Sequence, residues 1–341
     1  MSIFDKLANS TRETAKPGPG EETLGSGESL RKFRENIFAR LGQLRYRLKH
    51  MELSRQAVSK GEQILLTLRY RELAEKGTML DFEEVGFQNF SQFEEDGILH
   101  YIFSLIGFRP ARAVEFCAGV GSQSMSANLI IDHGWSALLV DGDEKNVTNG
   151  INFFSRHPST RTIGPVYQCH WIDCESVNAI LREAGFVGEI GLLTLDLDGV
   201  DYWIWDAITE ISPRVVVVEF SNVYPDRAIT VPYDPEFKAQ WIPLFGDTVQ
   251  ESGIPGQIGL ACSWVLYGGA SLPAFVKLGK AKGYRLIGVN RSLTNAFFLR
   301  DDVGREFFSE VSCESCLSGK KSEEFLALGQ EKLAGFDWQE V

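Results

Sequence analysis

Long apolar runs are missing from this sequence of 341 residues. None approaches the roughly 18 residues that a membrane-spanning helix needs, and the N-terminal residues lack the apolar segment of a signal peptide. Cysteine is also scarce: the six cysteines have no framework spacing, which is typical of reduced thiols. These absences exclude an integral membrane protein and a disulfide scaffold, and they predict a cytoplasmic location.

Positive charge is the third scarcity. The chain has 34 Lys and Arg against 46 Asp and Glu, so its net charge is -12. An acidic chain of this kind does not favour nucleic acid as a partner. Hydrophobic residues make up 44% and charged residues 23% of the sequence, which are ordinary values for a globular protein with one large or two modest domains.

The N-terminal part differs from the rest of the chain. Residues 1–29 are predicted to be a flexible segment, because residues 11–29 are rich in Gly, Pro, Glu, Ser and Thr. Residues 30–80 are predicted to be an amphipathic helical extension. Its heptad positions are Leu30, Ile37, Leu44, Met51, Val58 and Leu65.

The polar face of this extension is basic in its first part, with Arg31, Lys32, Arg34, Arg40, Arg45, Arg47 and Lys49. Three interpretations stay open. The helix packs on the main domain, it mediates self-association through residues 30–66, or it lies peripherally on an anionic inner membrane surface or an acidic partner.

Strand and helix signals alternate from residue 81 onward. Five apolar β-type segments, among them SALLVD and PRVVVVEF, are each followed by a helix or loop, and YRLIGVN and TNAFFLR then read as a hairpin. This pattern predicts an α/β fold with a doubly wound, mostly parallel sheet over residues 81–310, followed by a C-terminal tail over 311–341. Ligands of such sheets bind outside the carboxyl ends of the strands.

A glycine turn, EFCAGVGS, follows the first strand. Gly119 and Gly121 permit a tight turn and close approach of the backbone to a ligand. The next helix is predicted to start at about Ser122, with its free N–H groups facing that place. A dinucleotide-binding turn would have glycine where Ser124 stands, which argues against NAD, and a turn without any ligand role stays an open alternative.

Acids follow the second and third strands. Asp141 is placed to accept hydrogen bonds from a ribose diol, while Asp143 is expected to cap the next helix. Asp173 is a candidate acceptor for the exocyclic amine of a purine, and its alternative role is a helix cap. His170, near the end of the third strand, is a candidate base, although a lone histidine on a strand is more often structural.

Three acids cluster after the fourth strand, in TLDLDGVD. Asp196 and Asp198 alternate along the chain and lean toward one face, whereas Asp201 starts the next helix. The fifth strand adds Glu219 and Asn222 at the same edge. Asp196, Asp198, Glu219 and Asn222 are therefore predicted to be oxygen ligands of Mg²⁺ or a similar divalent cation.

Two alternatives to that metal site stay open. Without an ion, one carboxylate is expected to have a raised pKa and to act as a general base, with Asp196 and Asp198 as the candidates. In the structural alternative, Asp201 is a helix cap and Asp198 a turn residue.

The long Pro-rich segment over 224–257 is expected to be a structureless cover of the acceptor site. Arg227, Tyr233 and Trp241 are candidate acceptor-binding residues in this segment.

Several segments of the chain occur in the order and spacing of a known family. They are VEFCAGVGS, LLVDGDEKNV, HWIDCESVNAIL, and LLTLDLDGVDYWIWDAI with the later PRVVVVEFSNVYP. Over roughly residues 87–303 the chain resembles FkbM-like S-adenosylmethionine-dependent methyltransferases. The resemblance implies a Rossmann-like class I fold with seven strands and S-adenosylmethionine as cofactor. Cys117 and Val120 depart from the usual glycine turn, where small or acidic residues are common.

The resemblance also implies roles for individual residues. The methionine part of the cofactor would be lined by Glu115, Ala118, Gly119, Gly121 and Ser122. Asp141 would bind the ribose, Asp173 would lie near the adenine, and Asp196 with its neighbours would face the transferred methyl group.

The function implied is O-methylation of a hydroxylated small-molecule or glycan acceptor, such as a sugar-containing compound or secondary metabolite. Methyl transfer is an in-line displacement, so the protein must align the hydroxyl and take its proton. One alternative is a non-catalytic Rossmann-like binding or scaffold module recruited through the basic N-terminal helix, and another is a metal-dependent hydrolase on a similar sheet.

Overall fold

The computed structural model describes residues 57–244 and 264–341. The flexible segment predicted over 1–29 and the basic part of the helical extension lie outside the described residues. Three helices precede the first described strand: α1 (Lys60–Glu75), α2 (Phe82–Val85) and α3 (Glu95–Ile106). Within the described ranges, no helix has the length and apolarity to span a membrane.

The elements of the sheet and its helices follow. The first half comprises β1 (Arg112–Phe116), α4 (Ala127–His133), β2 (Ser136–Asp141), α5 (Glu144–Arg156), β3 (Val166–Cys169), α6 (Val177–Glu183), β4 (Gly188–Leu195), α7 (Asp201–Ala207) and β5 (Ile211–Glu219). The second half comprises β6 (Ile229–Thr230), β7 (Gln240–Pro243), β8 (Trp264–Tyr267), α8 (Leu272–Ala281), β9 (Tyr284–Val289), β10 (Asn295–Arg300), α9 (Cys313–Leu317), α10 (Glu323–Leu333) and β11 (Gln339–Glu340).

The main sheet has seven strands in the order β3-β2-β1-β4-β5-β10-β9. The pairs from β3 to β5 are parallel, and β10 runs antiparallel to both β5 and β9. The strand order reverses between β1 and β4, which is the switch point where such sheets bind ligands. The predicted doubly wound, mostly parallel sheet of seven strands is confirmed.

Helices cover both faces of this sheet, which explains the unbroken valine run of β5. Val216 and Val218 face a core with α6, α7 and α8. Val215 and Val217 face the opposite core, where α3 and α4 pack. We call this second side the α3 face.

Helix α1 docks on α3 and α4 mainly through polar side chains. We call Gln63, Thr67, His100 and His133 the histidine pocket. The Gln63 Nε2 donates to Asn128 Oδ1 at 3.1 Å and to Asp132 Oδ2 at 2.9 Å. Its Oε1 accepts from Asn128 Nδ2 at 3.0 Å and lies 2.8 Å from His133 Nε2.

His100 completes the pocket: its Nε2 lies 2.9 Å from the Gln63 carbonyl and 3.2 Å from Thr67 Oγ1. Three apolar residues of α1 point the other way, since Ile64, Leu65 and Leu68 are 53%, 66% and 59% exposed, whereas Tyr70 and Leu66 pack on the core of the α3 face. The heptad position Leu65 therefore does not pack on the domain. Val58 precedes the N-cap Ser59, so the predicted helical pattern does not continue through Val58 into α1.

The predicted boundaries at residues 80 and 310 do not separate packed units, because residues 57–341 form one compact unit. Residues 311–341 are not a loose tail. They form α9, α10 and β11, and β11 pairs with β6 through Gln339 and Thr230. Cys316 and Leu333 are buried in this packing, so the C-terminal segment is part of the domain.

Candidate functional site

Polar side chains line the α3 face where the parallel strands end. Side chains two residues apart on a strand share a face, and Leu192, Val217 and Phe297 belong to the core on the α3 side. The same alternation gives this face a row of five polar residues: Asp141 on β2, Glu115 on β1, Asp196 after β4, Glu219 on β5 and Asn295 on β10.

Asp196, Asp198 and Glu219 form what we call the acid triad. One carboxylate oxygen of each lies within 4.8 Å of those of the other two. The parallel register of β4 and β5 pairs Leu195 with Val218, so the residues that follow, Asp196 and Glu219, meet at the strand ends. The structure thus brings together three of the four predicted metal ligands.

Asp198 reaches the triad through a strained turn. Its φ is 56°, in the left-handed region that favours glycine. The turn also presses on the backbone of Gly268, where an added Cβ would lie 2.4 Å from the Asp198 carbonyl oxygen. Strain held in this way clusters at functional sites.

Partial burial perturbs the protonation of the triad, in which Asp196 and Glu219 are half-buried and Asp198 is exposed. It raises the pKa of Asp196 to about 7, and the charges of Asp198 and Asp201 add to the rise. It raises the pKa of Asp198 and holds that of Glu219 well above its ordinary value, with the charges of Asp196 and Asp198 as further causes. Glu219 and Asp196 are hydrogen-bonded. Around neutral pH, the triad needs a shared proton or a cation.

Asp201 supports this turn. Its Oδ1 accepts from the Leu197 N–H at 2.7 Å, and its Oδ2 accepts from the Gly199 N–H at 3.1 Å. The side chain is 1% exposed, and burial raises its pKa to about 6. Asp201 is not the helix cap of the structural alternative, because the N-cap of α7 is Val200 and no side chain caps it. The Asp201 carboxylate instead holds the chain on either side of Asp198.

Glu115 anchors the loop after β1. Its Oε1 accepts from the Met125 N–H at 2.9 Å, and its Oε2 accepts from Ser124 Oγ at 2.6 Å and from the Ser126 N–H at 3.0 Å. Burial raises the pKa of this carboxyl. Within the described part of the chain, Glu115 thus forms its hydrogen bonds with the loop that follows its own strand.

The helix predicted to start at about Ser122 begins instead at Ala127. The Glu115 carboxylate accepts hydrogen bonds from donors of residues 124–126, and these hydrogen bonds compete with those of a helix. Ser122 is exposed on the loop, so it does not supply a helix N-terminus.

The two glycines of the turn have different roles. Gly119 has φ of 56°, its N–H donates to Asp141 Oδ2 at 2.9 Å, and a Cβ there would meet nothing within 4 Å. Gly121 has φ of 80°, and a Cβ would lie 2.8 Å from the Phe154 ring. Gly119 therefore leaves open space for a ligand, whereas Gly121 is required for packing under α5. Cys117 and Ala118 lie between the end of β1 and Gly119. Ala118 is buried, and Cys117 has a φ of 61°.

Asp141 ties β2 to the glycine turn. Besides Gly119, its carboxylate accepts from the Asp143 N–H at 2.9 Å and from Asn146 Nδ2 at 3.1 Å. Asp143 caps α5 by accepting from the Lys145 N–H at 2.7 Å, as expected. Asp173 Oδ1 accepts from the Ser176 N–H at 2.7 Å, so one oxygen of Asp173 stabilises the start of α6, which begins at Val177.

A slot opens beside these strand ends. It is lined by Cys117, Gly142, His170, Trp171, Ile172, Leu197, Gly199, Val200, Pro235 and Phe237. Trp171 is 54% exposed, and its Nε1 donates to the Pro235 carbonyl at 2.6 Å. Gly199 lets Phe237 approach, since a Cβ there would lie 2.5 Å from that ring. The flat apolar walls suit a planar heteroaromatic group.

His170 lies on this slot rather than in the acid triad. Its backbone N–H donates to the Asp141 carbonyl at 3.0 Å, and its side chain is exposed. The structure therefore separates His170 from the two aspartates with which it was grouped as a catalytic candidate.

The segment after β5 is not structureless, because it carries β6 and β7. Tyr233 Oη accepts from the Cys174 N–H at 3.0 Å and donates to Glu175 at 2.8 Å, which straps the segment beside the slot. Arg227 pairs with Glu340 at 2.6 Å, away from that strap. Trp241 is 57% exposed on β7. Residues 245–257 lie outside the described residues.

Asn222, the fourth predicted metal ligand, donates from Nδ2 to the Leu293 carbonyl at 2.8 Å. Two residues that the sequence did not single out are connected to the triad. Asn295 pairs with Glu219, and Glu95 accepts a hydrogen bond from Asn295. The consecutive acids of FEEDG, placed at the start of an apolar helix, were the available signal.

Comparison with known proteins adds little. No protein-family model matches the chain, and no curated protein matches it significantly. One similar solved structure is magnesium protoporphyrin IX methyltransferase from Synechocystis PCC 6803, with 11% identity, a TM-score of 0.37, and coverage of 60% of this chain and 77% of that chain. A second is the N-terminal domain of EvdMO1, with 11% identity, a TM-score of 0.36, and coverage of 67% of this chain and 94% of that chain. A third is the glycopeptide N-methyltransferase MtfA, with 11% identity, a TM-score of 0.35, and coverage of 60% of this chain and 86% of that chain. These TM-scores are too low to assign a fold, so the fold assignment rests on the order of strands in the main sheet.

Proposed function

We propose that this protein is an S-adenosylmethionine-dependent O-methyltransferase that acts on a hydroxyl of a sugar-containing or secondary-metabolite acceptor. The observation that carries the proposal is the adjacency of the slot and the acid triad. The turn over 196–201 contributes to both, since Leu197 and Gly199 line the slot while Asp196 and Asp198 belong to the triad. A nucleoside and a proton-accepting group would therefore meet at one strand end.

The residues present fit the cofactor. Trp171, Ile172 and Phe237 offer flat apolar walls to the adenine. Asp141 lies at the end of β2, where an acid can bind a ribose, and Gly119 leaves free space for the methionine part. When bound, the cofactor supplies an electrophilic methyl group on a sulfonium sulfur.

The acid triad has the remaining task, which is to prepare the acceptor oxygen. Asp196, with a pKa of about 7, is suited to take the hydroxyl proton as a general base near neutral pH. Alternatively, the triad holds a divalent cation that lowers the pKa of the hydroxyl. The hydroxyl proton would pass to Asp196 or, with a cation bound, to solvent water. The oxygen lone pair would form the new bond to carbon while the carbon–sulfur bond breaks and S-adenosylhomocysteine leaves.

Calorimetry with S-adenosylhomocysteine tests the cofactor assignment. We expect one molecule to bind per chain, and Trp171→Ala to weaken binding about tenfold through loss of ring contact. Trp241→Ala is the matched control, because Trp241 is equally exposed but is not part of the slot. Absence of binding to the unaltered chain would reject the proposal.

Mass spectrometry of candidate acceptors tests the reaction through a gain of one methyl group. Turnover that survives EDTA would favour the general base over the cation. A scaffold module predicts instead that Asp196→Asn with Asp198→Asn leaves cellular function intact. A hydrolase predicts cleavage products and no methyl gain.

A further inference from the structure

Asn295 is the next polar residue beyond the acid triad. It is the first residue of β10, and its backbone pairs with Glu219 in the antiparallel ladder. Directly opposed residues of such a pair have Cβ atoms about 5 Å apart on the same face of the sheet. The Asn295 side chain therefore lies beside that of Glu219, on the α3 face.

The carboxamide of Asn295 is only half satisfied. The residue is 5% exposed, and its Nδ2 donates to Glu95 Oε1 at 2.9 Å. Its Oδ1 is buried and has no hydrogen-bond partner among the described residues. A buried carbonyl oxygen without a donor calls for an explanation, and a bound ion or water is one. Of the six buried side-chain atoms without a partner among the described residues, Asn295 Oδ1 belongs to the residue paired with Glu219 of the triad.

Glu95 fixes the orientation of the Asn295 carboxamide. The same Oε1 accepts from Asn290 Nδ2 at 2.6 Å, and Oε2 accepts from the Phe93 N–H at 3.0 Å. An ionised carboxylate only accepts hydrogen bonds, so it holds the NH₂ end of Asn295. The carbonyl end is left on the side away from Glu95.

We infer that Asn295 Oδ1 is the fourth oxygen ligand of a divalent-cation site made by Asp196, Asp198 and Glu219. Hard cations accept a mixture of carboxylate and amide carbonyl oxygens. The amide adds an oxygen without adding negative charge, and the ion offsets the repulsion of the three acids. Glu95 acts as a positioning residue, since it touches Asn295 and fixes its orientation.

Of the two roles proposed for the triad, general base and cation site, this inference selects the cation site. The catalytic use of the cation rests on the proposed methyltransferase function, but binding of the cation does not. The test therefore uses the full chain without acceptor or cofactor. Titration with Mn²⁺, followed by calorimetry, should show one ion bound per chain. Asn295→Ala should weaken binding about ten- to hundredfold, and Glu95→Gln should also weaken it, because glutamine lets the carboxamide turn round.

Asn128→Ala is the matched control. Asn128 is equally buried but belongs to the interface with α1, and its loss should leave Mn²⁺ affinity unchanged. Absence of Mn²⁺ binding to the unaltered chain, or equal affinity in the folded Asn295→Ala and Glu95→Gln variants, would overturn the inference; if Asn295→Ala does not fold, Glu95→Gln alone decides. Mn²⁺ binding that depends on Asn295 without any binding of S-adenosylhomocysteine would uphold the cation site and reject the methyltransferase.

Discussion

The acid triad and the histidine pocket both group titratable side chains, but they differ in burial and in the partners they provide. In the triad Asp196 and Glu219 are half-buried and Asp198 is exposed, whereas Gln63 and His100 of the pocket are fully buried. In the histidine pocket, Gln63 supplies both donors and acceptors, and burial lowers the pKa values of His100 and His133 to about 4, which keeps both rings neutral. In the triad, three acids face one another, and burial with like charge raises their pKa values.

This difference separates a structural cluster from a candidate functional one. The neutral cluster fixes α1 in place through the hydrogen bonds of Gln63, although His100 Nδ1 has no partner among the described residues. A cluster of like charges is stable only when a proton or cation joins it, and perturbed pKa values of this kind are typical of functional sites. The following experiments test that contrast, from the largest expected effect to the smallest.

Gln63→Ala should destabilise the domain by about 3 kcal/mol, because it removes the hydrogen bonds of Gln63 to Asn128, Asp132 and His133. The measurement is the free energy of unfolding in urea at pH 7. Leu68→Ala on the same helix is the control, since Leu68 is exposed and its loss should cost less than about 0.5 kcal/mol. An equal cost for the two variants would mean that the polar interface does not hold α1.

Asp196→Asn should have the opposite sign. At pH 8 Asp196 is mainly ionised in a half-buried site, so the neutral amide should stabilise the fold by about 1 kcal/mol while methyl transfer falls by about a hundredfold or more. Urea unfolding and turnover would be measured together. Asp206→Asn, at an exposed acid of α7, is expected to change neither quantity; destabilisation by Asp196→Asn would contradict the account of the triad.

Gly268→Ala should strain the turn that carries Asp198, because its Cβ would lie 2.4 Å from the Asp198 carbonyl oxygen. A cost of about 2 kcal/mol is expected from overpacking, together with weaker binding at the triad. Gly61→Ala is the control, since its Cβ comes no nearer than 3.9 Å to another residue, and it should stabilise α1 slightly. Unfolding in urea compares the two, and a neutral Gly268→Ala would show that the turn has room to adjust.

The pH dependence of stability should show the contrast directly. The folded pKa of Asp196, about 7, exceeds its unfolded value of about 3.9, so its stabilising effect is present below about pH 4 and lost as the pH rises to about 7. The histidines, with folded pKa values of about 4 and unfolded values of about 6.5, stabilise at pH values above about 6.5 and lose this effect on acidification.

Asp196→Asn removes the first trend and leaves the second. Between pH 5 and pH 7, the unfolding free energy of the variant should therefore rise more steeply than that of the unaltered chain, by about 1 kcal/mol. Asp206→Asn again serves as the control. Parallel pH profiles for the variant and the unaltered chain would show that Asp196 is not perturbed by burial.

The sheet was predictable because the apolar strand pattern is local and continuous. PRVVVVEF can be buried on both faces only in a central strand, and the parallel order then puts Asp196 and Glu219 at one edge. Those two acids come from adjacent strands, so topology alone was enough to bring them together.

The remaining features depend on side-chain contacts that no local pattern encodes. Glu115 redirects residues 124–126 and delays the helix to Ala127. Asn295 reaches the triad only through the antiparallel register of β10, and its orientation depends on Glu95, which lies 200 residues away in sequence. Leu333 of helix α10 packs in a core that other segments of the chain contribute. This packing could not be predicted from the sequence of residues 311–341 alone.

The most direct test is a crystal structure of the chain with S-adenosylhomocysteine bound. The account predicts that the adenine lies in the slot between Trp171 and Phe237, that the homocysteine part passes Gly119, and that the sulfur faces Asp196. Binding at another surface, or a slot closed by the protein's own side chains with the nucleoside excluded, would contradict it.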